Sequence, residues 1–291
     1  MSGFLESLLT PLTYAFMQRG LAAALIVGVL CSVIGCYVVL RSMAFLGDAL
    51  AHAVLPGIAV AYLLGKNLTL GGLVAALLVA IGIAFFTRQG TLKEDTAIGI
   101  LFAAALSLGI VLISSIRTYA VDLSHILFGN VLGVSPLDLW LTAGTGLLVL
   151  GAILIFYRPF LVISFDPVLA ATLRLNAESF RLLLLILLSV TIVISMQTVG
   201  VGLVAAMLVT PAATAYLLVR RLPAMMVLSA VIGGFSSLAG LFASYFINVA
   251  SGAAIVLTAT VIFLVVFLFA PERGLIRRLF RVPSGEAGPS A

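Results

Sequence analysis

The stretch AAIVLTATVIFLVVFLFA, residues 253–270, carries no charged side chain, and its only polar side chains are the hydroxyls of Thr258 and Thr260. At about 1.5 Å of rise per residue, a helix of this length reaches about 27 Å, close to the roughly 30 Å of a bilayer's hydrocarbon core. Lipid offers no hydrogen bonds, so a chain crossing it as a single segment must satisfy its own backbone as a helix.

Working outward from this run, similar ones recur near 18–40, 48–64, 68–86, 95–115, 138–157, 182–198, 200–219 and 224–247, with short polar breaks between them. The fold class is therefore all-α: a polytopic membrane helix bundle of eight or nine spans, the first two of which could form one bent unit. Of all residues, 63% are apolar and 9% charged, against about 25% charged in a soluble domain. Residues 1–272 form one transmembrane domain with no room for a soluble one. The tail 273–291 is basic and then rich in Pro, Gly and Ser, and is expected to be partly disordered.

The net charge of +5 could suggest a nucleic-acid partner, but the positions of the charges argue for orientation in a membrane instead. Placing Arg273, Arg277, Arg278 and Arg281 inside fixes every other loop by alternation. Arg41, Arg88, Lys93, Arg158, Arg174, Arg181, Arg220 and Arg221 then fall inside as well, leaving Arg19, Lys66 and Arg117 outside. This predicts a multi-pass protein with a cytoplasmic C-terminus. The opening MSGFLESLLT lacks the basic start of a cleavable signal and is expected to remain as an interfacial lead-in. Cys31 and Cys36 match no redox or metal spacing and read as buried thiols.

Two loops are long enough to hold structure of their own. The outer loop 116–137 could form a short helix at the outer mouth, and its Asp122 and His125 share a face if that stretch is helical; a solvated loop is the competing reading. The inner loop 158–181 predicts a short cytoplasmic helix with Asp166 as N-cap and Pro167 at the first helical position.

The most informative segment is RSMAFLGDALAHAVLPGIA, residues 41–59. Asp48 and His52, four apart, lie on one helical face at a spacing of about 6 Å, where a carboxylate and an imidazole can converge on one cation. A charge at membrane depth costs about 2.5–3.5 kcal/mol on insertion scales, so it faces a cavity, a partner or an ion pathway. The competing reading has Asp48 capping its helix and His52 bonded to a backbone carbonyl. Mixed N and O ligands suit zinc, manganese or iron, without choosing among them. Pro56 and Gly57 break the helix one turn further on, which membranes tolerate where the break lines a cavity; a packing kink is the competing reading. Small residues along 199–221, with Thr210 and Pro211 at mid-span, suit close helix packing.

No GxxxxGK[ST], HExxH or GxSxG occurs in the chain, so ATP is not held here by a P-loop and no hydrolytic site is visible. The chain is read as a non-enzyme, and energy for any transport must come from a partner or a gradient.

The stretches GDALAHAVLPG (47–57), KEDTAIGILF (93–102), LFGNVL (127–132), SFDPVLAATL (164–173) and VGVGLVAAMLVTPAATA (199–215) resemble the permeases of bacterial zinc/manganese/iron ABC importers. The resemblance covers about residues 14–272. It implies a homodimer in the bacterial inner membrane around a central pathway, two cytoplasmic ATPase subunits, and an extracytoplasmic metal-binding protein. Asp48 and His52 would coordinate a transported divalent metal, with no permanently bound cofactor. The segment 164–176 looks like a coupling helix that docks on the ATPase through Phe165, Asp166, Pro167, Ala170 and Arg174. The outer loop looks like a short gating helix, with Asp122, His125 and Phe128 at the outer gate. Val168 and Arg174 depart from the family's usual acidic residue and glycine, which leaves the docking contacts open. The alternative from a different class is a proton-coupled secondary transporter, although no inverted repeat is evident.

Overall fold

Polar caps start several of the helices and explain where they begin. The computed structural model describes residues 10–88, 92–115, 131–165, 170, 172 and 175–270. A 3-10 turn at Thr10–Thr13 leads into α1 (Ala15–Leu40), followed by α2 (Leu46–Ala53), α3 (Leu55–Leu63), α4 (Leu68–Thr87) and α5 (Glu94–Ser114). A second 3-10 turn, Val131–Gly133, precedes α6 (Pro136–Ile155), α7 (Tyr157–Phe165), α8 (Ala177–Val199), α9 (Val201–Leu218), α10 (Leu222–Ile247) and α11 (Ser251–Phe269). Asn67 accepts from the Thr69 and Leu70 amides at the start of α4. Ser135 and Asp138 form a reciprocal capping box at α6, with Pro136 in its first turn.

Nine segments among the described residues are long and apolar enough to cross a membrane, with Leu46–Leu63 counting as one span broken at Val54. Their bounds fall within a few residues of those expected, except at α8. There Asn176 caps the Ser179 amide and adds a polar first turn, so the helix begins before the apolar run that hydropathy detects. One element was not expected: α7 occupies residues read as the start of a loop. It follows α6 after a break at Phe156, and Phe160 anchors it against Tyr37 of α1 and Phe180 of α8. Ala170 and Thr172 are helical, and the Leu175 amide closes back on the Ala170 carbonyl at 3.1 Å. The expected N-cap Asp166, with Pro167, lies outside the described residues.

Burial grades the spans, with α9 and α10 intermediate at 50% of the apolar window. In α1, the α2–α3 span and α8, 67 to 72% of the apolar window is buried, against 17 to 22% in α4, α5, α6 and α11. The α1–α10 contact is built from small residues. Ser229 donates to the Ser32 carbonyl and Ser237 to the Ala24 carbonyl, while Gly28 faces Gly233. Such close approach is how helices associate where no hydrophobic effect drives them together. Cys31 and Cys36 are buried, unpaired thiols within α1, as expected from the sequence.

Arg41, Glu94 and Arg181 meet in one ion cluster, and Arg88 pairs with Glu178 beside it. The ends of α1 and α4 and the starts of α5 and α8 therefore lie together at one basic end of the bundle. At the opposite end, Gln197 of α8 donates to Thr69 of α4 at 2.6 Å.

Candidate functional site

α1 ends in a tight reversal that aims α2 back into the bundle. Ser42 takes a left-handed φ of 57°, and its amide and that of Met43 donate to the carbonyls of Val39 and Val38. This is a Schellman turn with serine where glycine is usual. α2 follows directly, with Gly47 against the side chain of Leu208, near the midpoint of α9. His52 lies beside Phe102 of α5, with ring centroids 6.0 Å apart. Phe102 is eight residues from Glu94 at the basic end, about 12 Å along the helix. The Asp48–His52 pair thus sits near mid-depth, on a broken helix, where polar groups in transport bundles hold their cargo.

Both groups remain partly open in the single chain: the side chain of Asp48 is 44% exposed and that of His52 27%. The imidazole Nε2 lies 3.6 Å from Asp48 Oδ1, too far for a hydrogen bond. Two ligand atoms at about 2.1 Å from a shared cation, at a near-tetrahedral angle, lie about 3.5 Å apart. The His52 Nδ1 is buried and has no hydrogen-bond partner. The reading in which Asp48 caps its helix and His52 bonds a carbonyl is therefore not what forms: Phe45 is the N-cap of α2, with no side-chain cap. No third His, Cys, Asp or Glu joins the pair among the described residues. The pair offers two groups able to ligate a cation, short of the four or more ligands that a divalent ion takes.

The break expected from Pro56 and Gly57 falls two residues earlier, at Val54, with Pro56 in the first turn of α3. Proline is well placed there, because the amide it lacks would have no partner in a first helical turn. Gly57 instead allows contact with α4: a methyl on it would run into the Gly71 carbonyl, and one on Gly71 into the Gly57 carbonyl. Beside these residues lies an apolar groove of about 540 Å³, running from Ala53 and Pro56 to Leu64 and Asn67.

Of the residues expected to meet an ATPase, Phe165 is 57% exposed at the end of α7, whereas Ala170 is wholly buried among core residues. Asp166, Pro167 and Arg174 lie outside the described residues, as do Asp122, His125 and Phe128 of the expected outer gate. Sequence reading missed Phe102 and Phe45, whose rings meet edge to face at 5.2 Å around the pair. With 18 phenylalanines in the chain, nothing marks these two. It also missed the Glu94 cluster, for which the adjacent acids Glu94 and Asp95 at a basic loop end were the available signal.

The family model for the ABC 3 transport family matches residues 13–270. The chain belongs to this family. It is 49% identical over 270 residues to the manganese transport system membrane protein MntC of Halalkalibacterium halodurans, covering 93% of this chain and 92% of that one. It is 45% identical over 265 residues to the manganese import system permease protein ScaB of Streptococcus gordonii, covering 91% and 95%. Among solved structures, PsaBC from Streptococcus pneumoniae in complex with Fab superposes with a TM-score of 0.83 at 41% identity, covering 94% of this chain and 99% of that one. Members of the ABC 3 transport family are transport components, not enzymes.

Proposed function

We propose that this chain is the membrane-spanning permease of an ATP-driven manganese importer in the bacterial inner membrane, acting as a homodimer with its basic end and C-terminus in the cytoplasm. Asp48 and His52, at mid-depth and half open in a single chain, carry this reading. A half-exposed carboxylate facing acyl chains is costly, so a second copy covers that face. Two pairs then meet across a shared, wet pathway and together offer two carboxylates and two imidazoles. Water can complete the shell, so the ion is held weakly enough to leave. The manganese names of the relatives support manganese as cargo, and an oxygen-and-nitrogen donor set without thiolate is compatible with it.

Two ATPase subunits on the cytoplasmic side supply the energy. They engage segment 164–176, where Phe165 offers an exposed aromatic contact. A metal-binding protein delivers cargo to the opposite end, with Asp122, His125 and Phe128 placed by sequence at the outer gate. Membership in an ABC transport family weighs against the proton-coupled carrier.

The test is uptake of radiolabelled manganese by cells or vesicles holding the whole importer at limiting metal. His52→Ala and Asp48→Asn are each expected to lower uptake at least about tenfold with unchanged amounts of assembled complex. Wild-type uptake by both variants removes the pair from the pathway.

A further inference from the structure

Glu94 is the first residue of α5, and its Oε1 accepts from Arg41 Nη2 at 2.6 Å and from Arg181 Nη1 at 3.3 Å. Both guanidinium groups are largely buried, with side-chain exposures of 12% and 17%. Arg181 Nη2 also donates to the Ala84 carbonyl of α4 at 3.0 Å, and its Nε is buried without a partner. Arg88 and Glu178, 2.9 Å apart and more exposed, close the rim. The whole group holds three cations against two anions. An imperfectly satisfied buried ion cluster contributes little stability compared with apolar side chains of the same shape. Its position is therefore more informative than its strength.

That position links the coupling segment to the metal pair. A cavity of about 280 Å³ is lined by Arg41, Glu94 and Arg181 together with Ile163 and Ala177, the residues that flank 164–176 on either side. Arg41 directly precedes the turn into α2. α5, rising from Glu94, carries Phe102, which stands against both His52 and Phe45. Glu94 thus holds the entrance of the metal-bearing helix through Arg41 and its imidazole through Phe102, and holds the exit of the coupling segment through Arg181.

We infer that Glu94, clamped between Arg41 and Arg181, is a positioning residue for transport, by which movement of segment 164–176 reaches Asp48 and His52. The inference rests on the permease reading above. The Glu94–Arg181 contact is the longer of the two and belongs to the helix that leaves the coupling segment, so it is the first to yield when that segment moves. Arg41 stays with Glu94 and carries the start of α2 with it.

The test uses the complete importer, with its ATPase subunits, in vesicles, and reads manganese uptake and ATP hydrolysis in the same sample. Removing one partner alone strands buried charge and can prevent assembly. The informative variant therefore replaces all three, Arg41→Met with Glu94→Leu and Arg181→Met, keeping volume and removing the ions. ATP hydrolysed per manganese transported is expected to rise at least tenfold. Arg181→Lys, which keeps the charge but cannot reach both Glu94 and the Ala84 carbonyl, is expected to raise it about threefold and serves alone if the triple variant does not assemble. A wild-type ratio in the triple variant, or in Arg181→Lys where only that variant assembles, overturns the inference and makes the cluster purely structural. Failure of the permease reading is separable, because the wild-type vesicles would then take up no manganese, or His52→Ala would transport normally.

Discussion

Ser42 shows how a single residue sets the direction of a functional helix. A left-handed backbone crowds the Cβ of any residue but glycine, at roughly 1–2 kcal/mol, and here that conformation, at φ 57°, delivers the chain from α1 into α2. Ser42→Gly relieves the crowding but adds freedom to the unfolded chain. A net gain of about 0.5 kcal/mol is expected, seen as a rise of about 1–3 °C in the unfolding midpoint of the purified protein. A fall would mean that the serine side chain fixes the turn by a bond of its own. Beside this turn, burial draws the Arg41 guanidinium below its ordinary pKa; Glu94 opposes that shift, and Arg181 adds to it. Arginine starts so far above neutrality that Arg41 stays charged.

Between elements, glycine decides which helices touch. Gly57 and Gly71 bring the α3 and α4 backbones into direct contact, and α3 continues the span that carries Asp48 and His52. Gly57→Leu forces them apart and is expected to cost about 2–3 kcal/mol, measured by thermal or denaturant unfolding in detergent. Gly99→Ala in α5, where an added methyl meets nothing within 4 Å, is the control: it should be neutral or stabilising by about 0.5–1 kcal/mol. Equal losses at both sites would mean that the α3–α4 contact has no special role. Helix existence was legible in the apolar runs, because lipid imposes length and composition on every span. The break at Val54 was legible only as a nearby Pro-Gly, since proline marks a first turn as readily as a kink. α7 was not legible, because its residues are too few and too mixed to read as a span.

For the molecule as a whole, the exposed face around Asp48 and His52 predicts a second copy. Phe45 is 42% exposed beside Asp48, on the side a partner is proposed to cover. With Cys31 and Cys36 replaced by alanine, Phe45→Cys in the assembled importer is expected to cross-link two copies of this chain through a short bifunctional thiol reagent. Cross-links only to other subunits, or none at all, would remove the two-fold pathway and leave the pair short of ligands.

By itself the sequence determined the solvent of this protein, the places of its spans, and the carboxylate and imidazole of Asp48 and His52 that share a helical turn inside an apolar run. Each is a property of local composition and spacing, which the bilayer and the helical repeat translate directly. Only the tertiary structure decided the depth of that pair, the open side on which it lies, the aromatic rings that hold it, and the meeting of Arg41, Glu94 and Arg181. Those contacts join residues dozens of positions apart, brought together by how the helices cross, and no local pattern encodes a crossing.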